Sequence, residues 1–168
     1  VIESPILNKT YFEKLCYQKE VKVNPFEMTF KPVLKDNEKT KQSLVSSINR
    51  LSEDVCAFAK RSGGIALLSD LAISKECAPI PMILAVSAVN QALIDNGLRM
   101  NVSLVLETGQ VSSSHHVACA LGFGASAIYP FSVEIRSKEK FASDAEGAFS
   151  KFAKATEKAL LKTMGKVG

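Results

Sequence analysis

The stretch Ser62-Gly63-Gly64-Ile65-Ala66-Leu67-Leu68-Ser69-Asp70 decides how this chain is read. Its centre is a short uninterrupted apolar run. A strand covered on only one face would alternate apolar with polar residues, so Ile65 to Leu68 fits a strand buried on both faces of a parallel sheet. The glycine pair in front of it ends a preceding helix. That helix runs from Lys41, with Leu44, Val45, Ile48, Leu51, Val55, Phe58 and Ala59 recurring at three and four. The same plan then repeats. A loop leads to Pro79-Ile80-Pro81, where proline opens a helix through Ala85, Val86, Val89, Leu93 and Ile94, closed by Gly97. Val102 to Leu106 is a second such strand, ending in Glu107-Thr108-Gly109. Ser112 or Ser113 caps a helix carrying His115, His116, Val117 and Leu121, closed by Gly122 and Gly124.

Outward from this centre, Asn8 caps a short helix with Tyr11, Phe12 and Leu15 on one face. Pro25 to Phe30 alternates with period two and reads as a strand, and Lys31 to Thr40 reads as a loop. Ala125 to Tyr129 is a further strand ended by Pro130. Glu134 to Ser143 reads as a polar connection. A last helix runs from about Asp144 to Met164, with Phe149, Phe152, Thr156, Leu160, Thr163 and Val167 on or near one stripe. The order is helix, then strand–helix four times. Strands alternating with helices imply an α/β fold with a parallel sheet and right-handed crossovers. Four consecutive βα units fit either half of a (β/α)₈ barrel or a small open doubly wound sheet.

The chain has 168 residues, which is one domain, spanning 1–168. Apolar residues make up 46% and charged residues 23%, ordinary globular usage that excludes bulk disorder. No stretch approaches the ~18 apolar residues of a membrane-spanning helix. Val1 to Pro5 has neither the basic nor the apolar part of a secretory signal. The net charge of +4, from 21 basic and 17 acidic residues, is mild, and aromatics do not interleave with the lysines, so nucleic acid is not an expected partner. The 4 cysteines, at 16, 56, 77 and 119, form no CxxC motif. Reduced, mostly buried thiols in a cytoplasmic protein are expected. With no initiator Met and an abrupt end at Gly168, the chain reads as a piece of something longer.

Working residues of βα folds gather at the carboxyl ends of the strands. Here those ends supply Ser69, Asp70, Glu107 and Thr108, and the start of the next helix adds His115 and His116. A general base is conceivable among the histidines. The bland alternative makes all six loop-capping and core groups, one histidine bonded to a carboxylate such as Glu107. Adjacent helical residues diverge by about 100°, so the two histidines do not share a metal, and no HExxH pattern accompanies them. Gly122-Phe123-Gly124-Ala125 leads into a strand instead of opening a helix and is no dinucleotide fingerprint. Lys151, Lys154, Lys158 and Lys162 form a basic helix face: a solvated surface, or a dock for an acidic partner.

Several phrases in order carry a family resemblance: Ser4-Pro5-Ile6-Leu7, Met28-Thr29-Phe30, Leu68-Ser69-Asp70, Ala78-Pro79-Ile80-Pro81 with Leu84-Ala85-Val86, and Asn96-Gly97-Leu98-Arg99. They continue with Ser103 to Gly109, His115-His116, Leu121 to Ala125, Ala127 to Pro130, and Lys158 to Gly168. Together they resemble the central domain of the glutamate synthase large subunit over nearly the whole chain. Departures are Gly165 and Val167 near the end, and Ser112-Ser113-Ser114 where the family often carries an Arg–acid pair. The resemblance implies the later part of that domain, connecting a glutamine amidotransferase domain to a synthase domain with FMN and an iron–sulfur cluster. The partners it implies are the other domains of the same subunit and, in some members of the family, a small electron-donating subunit. Ser69, Asp70, Glu107, Thr108, His115 and His116 then become candidates for an interdomain surface or ammonia passage. No catalytic, cofactor-binding or metal residue carries over, no cofactor is expected in this segment, and the piece alone is expected to be inactive. The rival expectation is a self-contained βα enzyme or flavin-binding module using Glu107 with His115 or His116.

Overall fold

The computed structural model describes residues 4–167; Val1 to Glu3 and Gly168, which entered the reading of the chain's ends, lie outside them. Its elements in order are α1 (Lys9–Tyr17), β1 (Val23–Glu27), β2 (Thr29–Phe30), α2 (Asn37–Arg61), β3 (Gly64–Ser69), β4 (Ala78–Pro79) and α3 (Met82–Asp95). A short 3₁₀ turn, Arg99–Asn101, leads into β5 (Val102–Glu107), followed by α4 (Ser114–Gly122), β6 (Ala127–Tyr129), α5 (Phe131–Lys140) and α6 (Ala145–Val167).

β1, β3, β5 and β6 form one sheet in that order, every pair parallel. Spatial order follows chain order with no reversal, so of the two architectures left open the partial, unclosed barrel is the one adopted. Beyond β6 the chain's beginning adds a rudimentary fifth position. Ile6 bridges Ile128, the Leu7 N–H donates to the Ile128 carbonyl at 2.8 Å, and the Ile128 N–H donates to the Pro5 carbonyl at 2.7 Å.

Strand parity sorts the core into two layers. Ala66, Leu68, Leu104, Leu106 and Ile128 face one way and pack with Val55 and Phe58 of α2, Val86 and Leu93 of α3, Val117 of α4 and Phe149 of α6. Ile65, Leu67, Val105, Ala127 and Tyr129 face the other way. In a closed barrel that second face would line the lumen; here α1 lies across it. α1 is capped by Asn8, whose side chain accepts from the Tyr11 N–H at 2.9 Å, and it buries Phe12. The Phe12 ring stacks on Tyr129 with centroids 4.4 Å apart and planes 18° from parallel. Phe12→Leu keeps apolar bulk but removes the stack, which is worth about 1 kcal/mol. The expected outcome is that much lost stability in urea unfolding and faster amide exchange confined to α1.

Four local expectations are corrected. Pro25 to Phe30 is not one strand: at Met28 the chain leaves the sheet, because Met28 donates to the Ser69 carbonyl and accepts from the Ile80 N–H, and β2 then pairs antiparallel with β4. α2 starts inside the expected loop, since Asp36 accepts from the Lys39 N–H at 2.9 Å and caps a polar first turn. The polar connection from Glu134 is the helix α5, which buries only Ser137 and is braced by Glu134–Lys138 at 2.9 Å. The apolar stripe of α6 stops at Leu160: Val167 at its end is 83% exposed.

Candidate functional site

The carboxyl edge of the sheet holds two different arrangements. Glu27, Ser69, Glu107 and Tyr129 stand in register across the four strands. Register and parity together put them on the α1 face. Within this row the Ser69 hydroxyl donates to Glu107 Oε2 at 2.6 Å and accepts from the Leu71 N–H at 3.2 Å. The Tyr129 hydroxyl donates to Glu134 Oε2 at 3.1 Å. Burial, then the charges of Glu134, Glu107 and Glu13, pushes the Tyr129 phenol far above its usual range. Burial, then Glu107 and Glu13, likewise raises the Cys16 thiol on α1. Neither group is a ready base or nucleophile at neutral pH.

One residue further along, Asp70 and Thr108 belong to the other arrangement and are fully buried. Asp70 Oδ2 accepts from the Thr108 hydroxyl at 2.7 Å and from Gln110 Nε2 at 2.8 Å, while Oδ1 accepts from the Gly109 N–H at 2.9 Å. Gln110 extends the network to α3: its Nε2 donates to the Ile80 carbonyl and its Oε1 accepts from the Met82 N–H, each at 2.9 Å. The carboxylate therefore ties the loop after β3 to the loop after β5 and to the first turn of α3. A buried carboxylate met by three donors is a joint that holds loops together. Gln110 was missed from sequence because nothing in its neighbours distinguishes it.

The histidines sit elsewhere. Both are in the first turn of α4, which Ser113 caps by accepting from the His116 N–H at 3.4 Å, and α4 packs on the opposite face from Glu107. His116 Nδ1 lies 3.2 Å from the Ser112 hydroxyl, and the exposed His115 places Nε2 3.5 Å from Cys119 Sγ. Neither bonds Glu107, which takes Ser69 instead. The six candidates thus divide into a pair, a buried joint and two surface histidines.

An iron–sulfur cluster needs converging thiolates. Among the described residues no three His, Cys, Asp or Glu side chains stand together, and all four cysteines are unpaired. Only Cys56 is buried; Cys16, Cys77 and Cys119 are half-buried, which corrects the expectation of mostly buried thiols. Two shallow depressions, one along Pro25, Glu27, Arg50 and Asp54 and one along Ser87, Asn90, Gln91 and Phe123, include none of the six candidates. Lys151, Lys154, Lys158 and Lys162 are exposed, Lys151 3.9 Å from Asp144. No helix of the described residues is long and apolar enough to cross a membrane.

Fold and site together define a partial barrel of successive βα units whose strand-end polar groups mostly serve to hold the rim. The family described as glutamate synthase central domain matches residues 1–168, and the chain belongs to that family. It is 34% identical to the chloroplastic ferredoxin-dependent glutamate synthase of Spinacia oleracea, a match covering 100% of this chain and 11% of that protein. It is 36% identical to the ferredoxin-dependent glutamate synthase of Cyanidium caldarium, over 77% of this chain and 8% of that protein. It is 38% identical to the large chain of the NADPH glutamate synthase of Bacillus subtilis, over 64% of this chain and 8% of that protein. The chain therefore spans only about a tenth of these relatives, as their covered shares of 8% to 11% state.

Proposed function

We propose that this domain is the interdomain piece of a glutamate synthase large subunit. It links the glutamine amidotransferase domain to the FMN synthase domain and helps wall the passage that carries ammonia between them. The parent reaction makes glutamate from glutamine and 2-oxoglutarate, with FMN and an iron–sulfur cluster held by other domains and electrons delivered in some members by a small subunit. The observation that carries this reading is the family match along the whole chain. The unpaired thiols fit a reducing compartment such as the cytoplasm. A passage works by confinement, keeping neutral ammonia from bulk water and acids. Ser69 and Glu107, half-buried and hydrogen-bonded to each other, are the groups we assign to its wall. Asp70 and Thr108 hold the rim, and His115 and His116 face a neighbouring domain.

The test uses the full-length enzyme carrying Ser69→Ala or Glu107→Gln. Glutamine-dependent glutamate formation is expected to fall several-fold, and glutamine to be hydrolysed in excess over the 2-oxoglutarate consumed, while synthesis from added ammonia persists. Unchanged rate and coupling in both variants would overturn the assignment. The rival flavin-module reading needs Glu107 to work with a histidine, and those groups lie on opposite faces of the sheet. FMN titrated into the 168-residue chain is expected to show no saturable binding; a Kd near micromolar, roughly −8 kcal/mol, would favour that rival.

A further inference from the structure

We infer that α1 is the body of a hinged strap whose opening and closing controls access to the Ser69–Glu107 pair. The strap is residues 8–21. It is fixed to the sheet at both ends. The Leu7 N–H donates to the Ile128 carbonyl at 2.8 Å on the β6 side, and the Lys22 carbonyl accepts from the Ile65 N–H at 2.8 Å on the β1 side. Between these anchors it crosses the sheet face that carries Ser69, Glu107 and Tyr129. Among the described residues, every hydrogen bond and ion pair of the strap is internal to it. Asn8 accepts from the Tyr11 N–H, the Gln18 side chain bonds Val21 in both directions, and Lys9 lies 3.7 Å from Glu13. The strap can therefore swing as a unit about the extended backbone at Asn8 and Gln18 without breaking a polar bond.

Its hold on the sheet is apolar and small. Phe12 is its only buried side chain, and Leu15 and Cys16 are half-buried beside it. A segment secured by so little buried surface opens far more often than the core strands. Ile65, Leu67 and Val105 make the sheet face beneath it apolar, so shut is the resting position. Swung open, it admits bulk water and acids to Ser69 and Glu107, the leak that a passage for neutral ammonia must prevent. This role rests on the assignment of those two residues to the passage wall. Cys16 reports the strap's position. It lies in the packed layer with Phe12 and Tyr129, its thiol pushed up by burial, then by Glu107 and Glu13, so it meets a thiol reagent as a thiolate chiefly when the strap is open.

The test uses the full-length enzyme and N-ethylmaleimide, with labelling at each cysteine read by mass spectrometry. Truncating a buried phenylalanine shifts an opening equilibrium steeply, so Phe12→Ala is expected to label Cys16 about a hundredfold faster, with Cys119 unchanged. Phe12→Leu, the milder change that loses only the stack, is expected to give about fivefold. The adduct on Cys16 is too large for the space under α1 and holds the strap open. Glutamine is then hydrolysed in excess over the 2-oxoglutarate consumed, and Cys16→Ser makes coupling indifferent to the reagent. Cys16 labelling unmoved by both Phe12 variants would overturn the strap. So would complete Cys16 labelling with coupling intact in an enzyme that Ser69→Ala uncouples, a result that leaves the passage wall standing. Coupling lost on labelling, in an enzyme indifferent to Ser69→Ala and Glu107→Gln, would keep the strap and overturn the wall.

Discussion

Gly64→Ala will cost about 4 kcal/mol, a large share of the roughly 5–15 kcal/mol that holds a domain of this kind folded. Two effects combine. Gly64 has φ +119°, a conformation open in practice only to glycine, and forcing a side chain into it costs about 1–3 kcal/mol. In addition, the new methyl group would strike the Lys22 carbonyl oxygen. That oxygen accepts the Ile65 N–H at 2.8 Å at the start of the β1–β3 ladder, so it has no room to retreat without giving up the bond. Gly97→Ala separates the two causes. Gly97 also has positive φ, +67°, but a Cβ there meets nothing within 4 Å, so only about 1 kcal/mol is expected. Urea unfolding of the two variants measures both, and equal losses would mean that backbone strain alone governs Gly64.

Asp70→Ala is the second large effect, about 3–5 kcal/mol. The carboxylate accepts three hydrogen bonds in a fully buried position. Removing it strands donors of Thr108, Gly109 and Gln110, each costing about 1–3 kcal/mol when left unpaired, less whatever water enters to serve them. Asp70→Asn is expected to cost about 1–2 kcal/mol. Its oxygen can keep the two donors at the Oδ2 position, and its amide then confronts the Gly109 N–H donor with donor. Thermal unfolding gives the ranking Ala worse than Asn. The alanine variant should also show faster amide exchange in the first turn of α3, because Gln110 loses its anchor while still accepting from Met82. Indifference of the α3 amides would show that the joint acts only between the two strand-end loops.

What could be read from the chain, and what could not, follows from the range of the forces involved. Ile65 to Leu68 and Val102 to Leu106 announce doubly covered strands because burial on both faces writes itself directly into consecutive residues. The Asn8 and Ser113 caps are equally local. α5 escaped notice because its polar residues carry no apolar period; only Ser137 is buried. The β2–β4 ladder escaped because two-residue strands have no period at all. At the rim, Ser69 and Asp70 read as one cluster because they adjoin, yet neighbouring residues at a strand's end turn apart, one to α1 and one to the buried joint. That division was available from parity alone. The partners of Asp70, at positions 108 to 110, were not, because nothing local ties a carboxylate to an amide some 40 residues away, as the separation of Asp70 from Gln110 is.

The position of Ile6 and Leu7 beside β6 has a consequence for the order in which the chain can assemble. Each inner strand pairs with the strand of the preceding βα unit, so β1, β3, β5 and β6 can join one after another as the polypeptide emerges from the ribosome. The segment at Ile6 and Leu7 is different: its partner, Ile128, is made more than a hundred residues later, from Ile6 to Ile128. Closing so long a loop carries an entropic cost, and contacts of such separation form slowly. Phe12 waits with it, since Tyr129 is the ring it stacks on. The segment from Ile6 through α1 is thus the last of these elements to find its place, and until it does the face that α1 covers stays open to other partners.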